Sequence, residues 1–197
     1  MLSPLAKIPH ELLFPGFILL IFIIAYTVAR RRADLLKRLE SVFPGRTFLR
    51  WFVPTFEGMC DAFAFSVRLT GGGKNNPPRL NVIMRAPVAM RMTIRKEGAF
   101  FSIGKSLGLL KDVRINDPLF DSEFIISAAD DDAAVRYLSA SGKKDGIRRV
   151  FNAGYALLTF KDGEIKAEKT YYTVADIGPD ALADVVRSLA VLARDLQ

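Results

Sequence analysis

Apolar residues are spaced along this chain in three successive ways. Residues 12–29 read LLFPGFILLIFIIAYTVA, eighteen positions without a charge and apolar on every face of a helix. From residue 30 to 43 the pattern turns amphipathic, with Leu35, Leu36, Leu39, Val42 and Phe43 at three- and four-residue intervals, and Pro44-Gly45 stops it. From Met59 the period changes to two: Phe63, Phe65, Val67 and Leu69 alternate with smaller or polar neighbours, as in a half-buried strand.

The uncharged run predicts a single membrane-spanning helix. At about 1.5 Å per residue it measures roughly 27 Å, against a bilayer hydrocarbon core of about 30 Å. A cleaved signal peptide fits less well, since only Lys7 precedes the core and Arg30-Arg31-Arg32 follow it as a stop-transfer flank. A buried helix of a soluble domain, or one lying in the interface, fits less well, because this run is apolar on every face. Lys7 and His10 stand before the run, and Arg30, Arg31, Arg32, Lys37 and Arg38 after it. The excess of bases on the C-terminal side predicts a cell (inner) membrane protein with its N-terminus outside and its C-terminal domain cytoplasmic. Ala25 and Ala29 form a small-xxx-small pair of the kind that seats a second helix.

The domain boundaries follow from these changes of pattern: a tail over 1–11, the span over 12–29, a juxtamembrane amphipathic helix over 30–45, and an α+β domain over 46–197. Residues 46–57 form a bridge rich in aromatics (Phe48, Trp51, Phe52, Phe56), read either as packing between anchor and domain or as a contact with the membrane interface. A basic β-meander is expected over 59–114. After the strand at 63–69 and a Gly-, Asn- and Pro-rich loop over 71–78, Leu80, Val82 and Met84 make a second strand. Met90, Met92 and Ile94 make a third, and residues 99–103 a short fourth.

An acidic αβ module is expected over 115–197. A strand over 121–127 leads to Asp130-Asp131-Asp132, which cap a helix running to Ser139. Ile147, Val150 and Phe151 mark a second short helix closed by Gly154. The clearest hairpin joins 155–160 to 165–172 through Asp162-Gly163, a pair suited to the two positive φ angles of a type I′ turn. Pro179 opens a final helix over 180–196, with Leu182, Val185, Val186, Leu189 and Leu192 on one stripe. Together these elements predict an antiparallel sheet with short helices and one long C-terminal helix.

Charge sharpens this division. The formal net charge is +7, and residues 30–50 alone hold seven bases against two acids. Residues 74–114 hold nine bases against two acids, whereas residues 115–197 hold ten against fourteen. The basic half therefore lies beside the anchor in sequence and the acidic half beyond it. The lone cysteine, Cys60, makes no internal disulfide and no multi-thiolate metal site, in keeping with a reducing compartment.

The run Asp117-Pro118-Leu119-Phe120-Asp121-Ser122-Glu123-Phe124, with the helix start, hairpin and leucine-patterned helix after it, resembles a D-P-x-F-D-x-x-F module of uncharacterised bacterial membrane-anchored proteins, the DUF3137-like domains of unknown function. The resemblance covers residues 115–197. It implies a bacterial membrane-associated protein and carries no catalytic or ligand-binding residue with it.

Tests for chemistry exclude more than they support. Gly98 to Ser106 places its first glycine one position too early for a phosphate-binding loop and fills the turn with Phe100-Phe101. Asp130-Asp131-Asp132 lacks the alternating ligands, central glycine and distal glutamate of a calcium loop. His10, the only imidazole, stands before the span, so a Ser-His-Asp or Cys-His arrangement within the domain is ruled out. No cofactor or metal is expected.

Asp117, Asp121 and Glu123 could act as paired carboxylates, although turn and strand-entry roles explain them equally. The bases Arg85, Arg91, Arg95, Lys96 and Lys105 come without a nucleic-acid-binding motif, and a solvated sheet face accounts for them better. Arg30, Arg31, Arg32, Lys37 and Arg38 are the candidate membrane-surface contacts, with the lipid bilayer as partner and anionic lipid as an attractive component of it. The expected function is a non-catalytic interaction or scaffold module at the membrane, with an unidentified protein partner. Its alternatives are a carboxylate enzyme acting on a membrane or envelope metabolite, and a domain binding anionic lipid or nucleic acid.

Overall fold

The computed structural model describes residues 10–73, 76–96 and 113–194, and the side chains of the first helix from residue 15 onward. Its order is a long helix α1 (His10–Leu36) and a 3-10 turn (Lys37–Ser41), then strands β1 (Gly45–Arg50), β2 (Val53–Cys60), β3 (Phe63–Thr70), β4 (Arg79–Arg85) and β5 (Met92–Lys96). There follow α2 (Pro118–Glu123), β6 (Phe124–Ala128), α3 (Asp131–Ser139), α4 (Lys143–Asn152), β7 (Leu157–Lys161), β8 (Glu164–Thr170) and α5 (Pro179–Ala193). The fold is α+β, with one eight-stranded antiparallel sheet in the order β1-β2-β3-β4-β8-β7-β5-β6.

Period-two patterning places the residues on the correct faces. Phe56, Val67, Val82, Ala167, Leu158, Ile94 and Ile126 stand side by side across seven strands. All seven are fully buried, and they form the spine of the core. The expected stripe of α5 (Leu182, Val185, Val186, Leu189, Leu192) is buried over this face. Gly146 of α4 lets α5 come close, since a Cβ there would meet Leu192 Cδ2 at 3.1 Å. The opposite face is polar, with Arg79 Nη1 at 3.1 Å and Lys166 Nζ at 2.8 Å from the two carboxylate oxygens of Glu168.

Three expectations are corrected here. The 59–114 meander does not hold together, because β8 and β7 lie between β4 and β5. Periodicity reports which face a residue occupies and says nothing about which strand lies next to it. The bridge over 46–57 is itself two strands, β1 and β2. Asp121 belongs to α2, so the sixth strand starts only at Phe124, and Asp117 caps α2 by accepting from Phe120 N at 3.2 Å. The strand expected over 99–103, and Lys105, fall outside the described residues.

Other local expectations hold. Asp162 and Gly163 carry the positive φ angles of the hairpin turn (52° and 78°). Asp130 accepts from Ala133 N at 2.9 Å and caps α3.

Among the described residues no helix is long and apolar enough to cross a membrane. The first expected span residues of α1, 12–14, are outside those whose side chains are described, and from Ala29 the same helix enters the domain core. Residues 15–28, every one exposed, are what remains between, roughly 21 Å at about 1.5 Å per residue. The amphipathic segment is likewise no separate helix: it continues α1 to Leu36 and then tightens into the 3-10 turn.

Candidate membrane-contact surface

Two segments of α1 have opposite surroundings. Ala29, Ala33 and Leu36 repeat at four and three residues and are buried, as are Leu39 and Phe43 after them. Ala29, half of the expected small-xxx-small pair, is thus covered by its own domain. Between residues 15 and 28 the helix presents Phe17, Leu19, Leu20, Phe22, Ile23 and Ile24, each at least half exposed. An uninterrupted apolar surface of this kind is foreign to a water-facing helix, which keeps an apolar stripe and a polar face.

The five candidate bases divide by surroundings. Arg30 Nη1 donates to Tyr26 Oη at 3.1 Å, folding back along the helix. Arg32 Nη1 reaches the carbonyl of Gly71 at 3.4 Å and lies over Gly72, where a Cβ would meet its Nη2 at 3.2 Å. Arg32 therefore clamps α1 to the β3–β4 loop. Its charge also partly offsets the upward push that burial gives the Tyr172 phenol. Lys37 pairs with Asp34 at 3.3 Å. Arg31 and Arg38 are exposed.

The β1–β2 turn is the feature the sequence pattern concealed. Arg50 pairs with Val53, leaving Trp51 and Phe52 as a two-residue turn with φ of 51° and 62°. Such turns favour Asn-Gly or Asp-Gly, because a side chain in the left-handed region costs roughly 1–2 kcal/mol. Trp51 is 90% exposed, and the Phe52 ring lies 6.2 Å from the ring of Phe22 on α1. The aromatic richness of residues 46–57 was the available signal, but it did not mark a turn.

The same end of the sheet carries more of this kind. β1, β3 and β8 run towards it and β2 and β4 away from it, so turn 51–52, residues 71–73 and 76–78, and the segment after Thr170 lie there together. Tyr171, with φ of 55°, donates its N–H to the Pro78 carbonyl at 2.9 Å and is 74% exposed; Val174 beyond it is 66% exposed. Asp176 holds the segment in place. It accepts from Lys169 Nζ at 2.7 Å, Thr173 N at 2.7 Å and Thr173 Oγ1 at 3.0 Å. Burial pushes the Asp176 carboxyl up, but these donors together with the Lys169 charge outweigh it and leave it below the usual carboxylate range.

The alternative chemistry is not assembled. Asp117 is engaged by Lys144 at 2.6 Å, Glu123 by Arg148 at 3.2 Å, and Asp121 accepts from Ile115 N at 3.1 Å. The Lys144 hydrogen bond, followed by the one from Phe120 N, holds the Asp117 carboxyl low. Arg85 stands opposite Glu164 in the sheet and Arg91 contacts Asp162 at 3.4 Å, while Arg95 and Lys96 lie at the other end of their strand. These bases do not converge. Cys60 is buried at the far end of the sheet beside Asp61, and burial pushes its thiol up. An open groove there is lined by Phe43, Met59, Arg187 and Arg194, with Arg194 paired to Asp61 at 2.7 Å.

The fold thus defines an α+β protein with one twisted antiparallel sheet, helices over a single face, and a long N-terminal helix projecting from one sheet end. That fold is shared with the mycobacterial trehalose monomycolate transport factor A, TtfA, whose crystal structure superposes with a TM-score of 0.54 at 13% identity. The match covers 86% of this chain and 96% of TtfA. No family model matches the chain, and no curated protein matches it in sequence.

Proposed function

We propose that this chain is a single-pass membrane-anchored protein of bacterial origin whose α+β domain works at the cytoplasmic membrane surface as a non-catalytic interaction module. The observation that carries the reading is α1: residues 15–28 expose apolar side chains around the whole helix, and the same helix continues without a break into the core. A bilayer is the surrounding that suits such a surface. With residues 12–14 included the apolar run has the length of a span, and the bases from Arg30 to Arg38 favour the domain on the cytoplasmic side. The likeness in fold to a mycobacterial transport factor is in keeping with a bacterial origin.

The engagement of Asp117, Asp121 and Glu123 in caps and ion pairs favours this reading over a carboxylate enzyme. The test is carbonate extraction of membranes containing the full chain, together with reporter fusions at its C-terminus. Retention in the membrane with a cytoplasmic reporter is expected. Release by carbonate, or a reporter active only outside, would sink the proposal.

A further inference from the structure

Outside α1, the described residues include six large apolar side chains that are strongly exposed: Trp51, Phe52, Met59, Leu119, Tyr171 and Val174. Four of them stand at one end of the sheet, Trp51 and Phe52 between β1 and β2 and Tyr171 and Val174 after β8, the end over which α1 leaves the domain. Leu119 lies in α2, which leads into the outermost strand β6, three strands beyond β8. Met59 is at the opposite end.

Backbone geometry singles out the same place. Among the described residues, six other than glycine have positive φ. Asp61, Asn116 and Asp162 are of the types that tolerate it. Trp51, Phe52 and Tyr171 are not, and all three are exposed aromatics on this one sheet end. Strain held at exposed aromatic side chains, with little to pack against in the domain, is the pattern of a contact surface.

We infer that this sheet end is a bilayer-contacting surface, with the Trp51–Phe52 turn reaching into the bilayer alongside α1 and Tyr171 and Val174 on the same sheet end. The inference rests on α1 being membrane-embedded. Given that, the Phe22–Phe52 contact commits the occupant to lipid. Phe22 lies eight residues before Arg30, about 12 Å along the helix at 1.5 Å per residue. A bilayer that takes in the apolar stretch of α1 therefore reaches the turn packed against its middle. Trp and Tyr suit the boundary where acyl chains meet headgroups, and Arg50 and Arg31 supply exposed bases for the headgroups above it. The apolar surface is then continuous from helix to turn.

Trp51 is the only tryptophan of the chain, so its fluorescence reports on this surface alone. The full chain would be reconstituted into phosphatidylcholine vesicles, plain or brominated on the acyl chains, and floated on a density gradient. The expected result is flotation, blue-shifted Trp51 emission, quenching by brominated lipid and loss of most quenching by aqueous iodide. A Trp51→Phe, Tyr171→Trp chain should be quenched by the brominated lipid as well, and a Trp51→Phe, Met59→Trp chain should stay open to iodide. If the protein floats while Trp51 stays iodide-accessible and unquenched, the inference falls and the anchor stands. Equal lipid quenching of a probe at position 59 also overturns it, since no sheet end is then preferred. Failure to float overturns both readings.

Discussion

The ammonium of Lys143 is buried and donates to the carbonyl of Val191 at 2.9 Å, closing the C-terminus of α5 from the start of α4. It also reaches the carbonyl of Arg194 and lies 5.2 Å from the centre of the Tyr137 ring. A cation at a helix C-terminus meets both the unpaired carbonyls and the negative end of the dipole. Lys143→Met keeps the bulk and removes the charge, leaving the Val191 and Arg194 carbonyls without this donor. We expect a loss of about 2–3 kcal/mol in denaturant unfolding. A loss below about 0.5 kcal/mol, the range of surface changes, would show that the cap contributes little.

Asp176 makes the segment after β8 sensitive to acid. Its carboxyl is held below its unfolded value, so the stability it contributes is full above the ordinary carboxylate range and is lost as pH falls through the folded value. Asp176→Asn should therefore be less stable than the parent at pH 7, and the two melting curves should converge in acid. A gap that persists unchanged to low pH would show that lost packing, not charge, is responsible.

Gly71 makes a close approach that no side chain fits. With φ of 74°, a Cβ there would stand 2.2 Å from the Pro77 carbonyl oxygen. Gly71→Ala should displace the loop whose carbonyl receives Arg32, costing about 1–3 kcal/mol. Hydrogen exchange should then quicken in residues 29–36 of α1 as well as in the loop. Faster exchange in the loop alone would show that the Arg32 clamp does not hold the helix.

The basic flank lends itself to a topological test. Arg30 and Arg31 are exposed and free of the loop contact made by Arg32, so changing both to Gln alters charge without breaking the domain. A minor population of inverted molecules should appear, read by a C-terminal reporter outside the membrane. An unchanged topology would shift the determinant to Lys37 and Arg38.

Much of the fold could be read from local chemistry alone. Asp162-Gly163, the cap at Asp130 and the stripe on α5 each follow from a rule acting within a few residues, and each appears where the pattern put it. Strand neighbours depend on contacts between distant parts of the chain, so nothing around Met92 announces that Phe160 will lie beside it instead of a residue of β4. The aromatic turn was hidden for the opposite reason: Trp51 and Phe52 act against the local preference at those positions. The clamp at Arg32 was concealed among four similar bases, because its partner is a backbone carbonyl thirty-nine residues further on.

The place of β8 sets an order of assembly. The edge of β4 that β8 will occupy, residues 79–85, is synthesised more than seventy residues before its partner is complete at Thr170. Throughout that interval the nascent chain carries an open strand edge, a surface prone to pairing with other chains. Arg79 and Arg85 stand at its two ends and put like charge on any second copy that approaches. Like charge at both ends of the edge disfavours its pairing with a second copy until β8 closes the sheet.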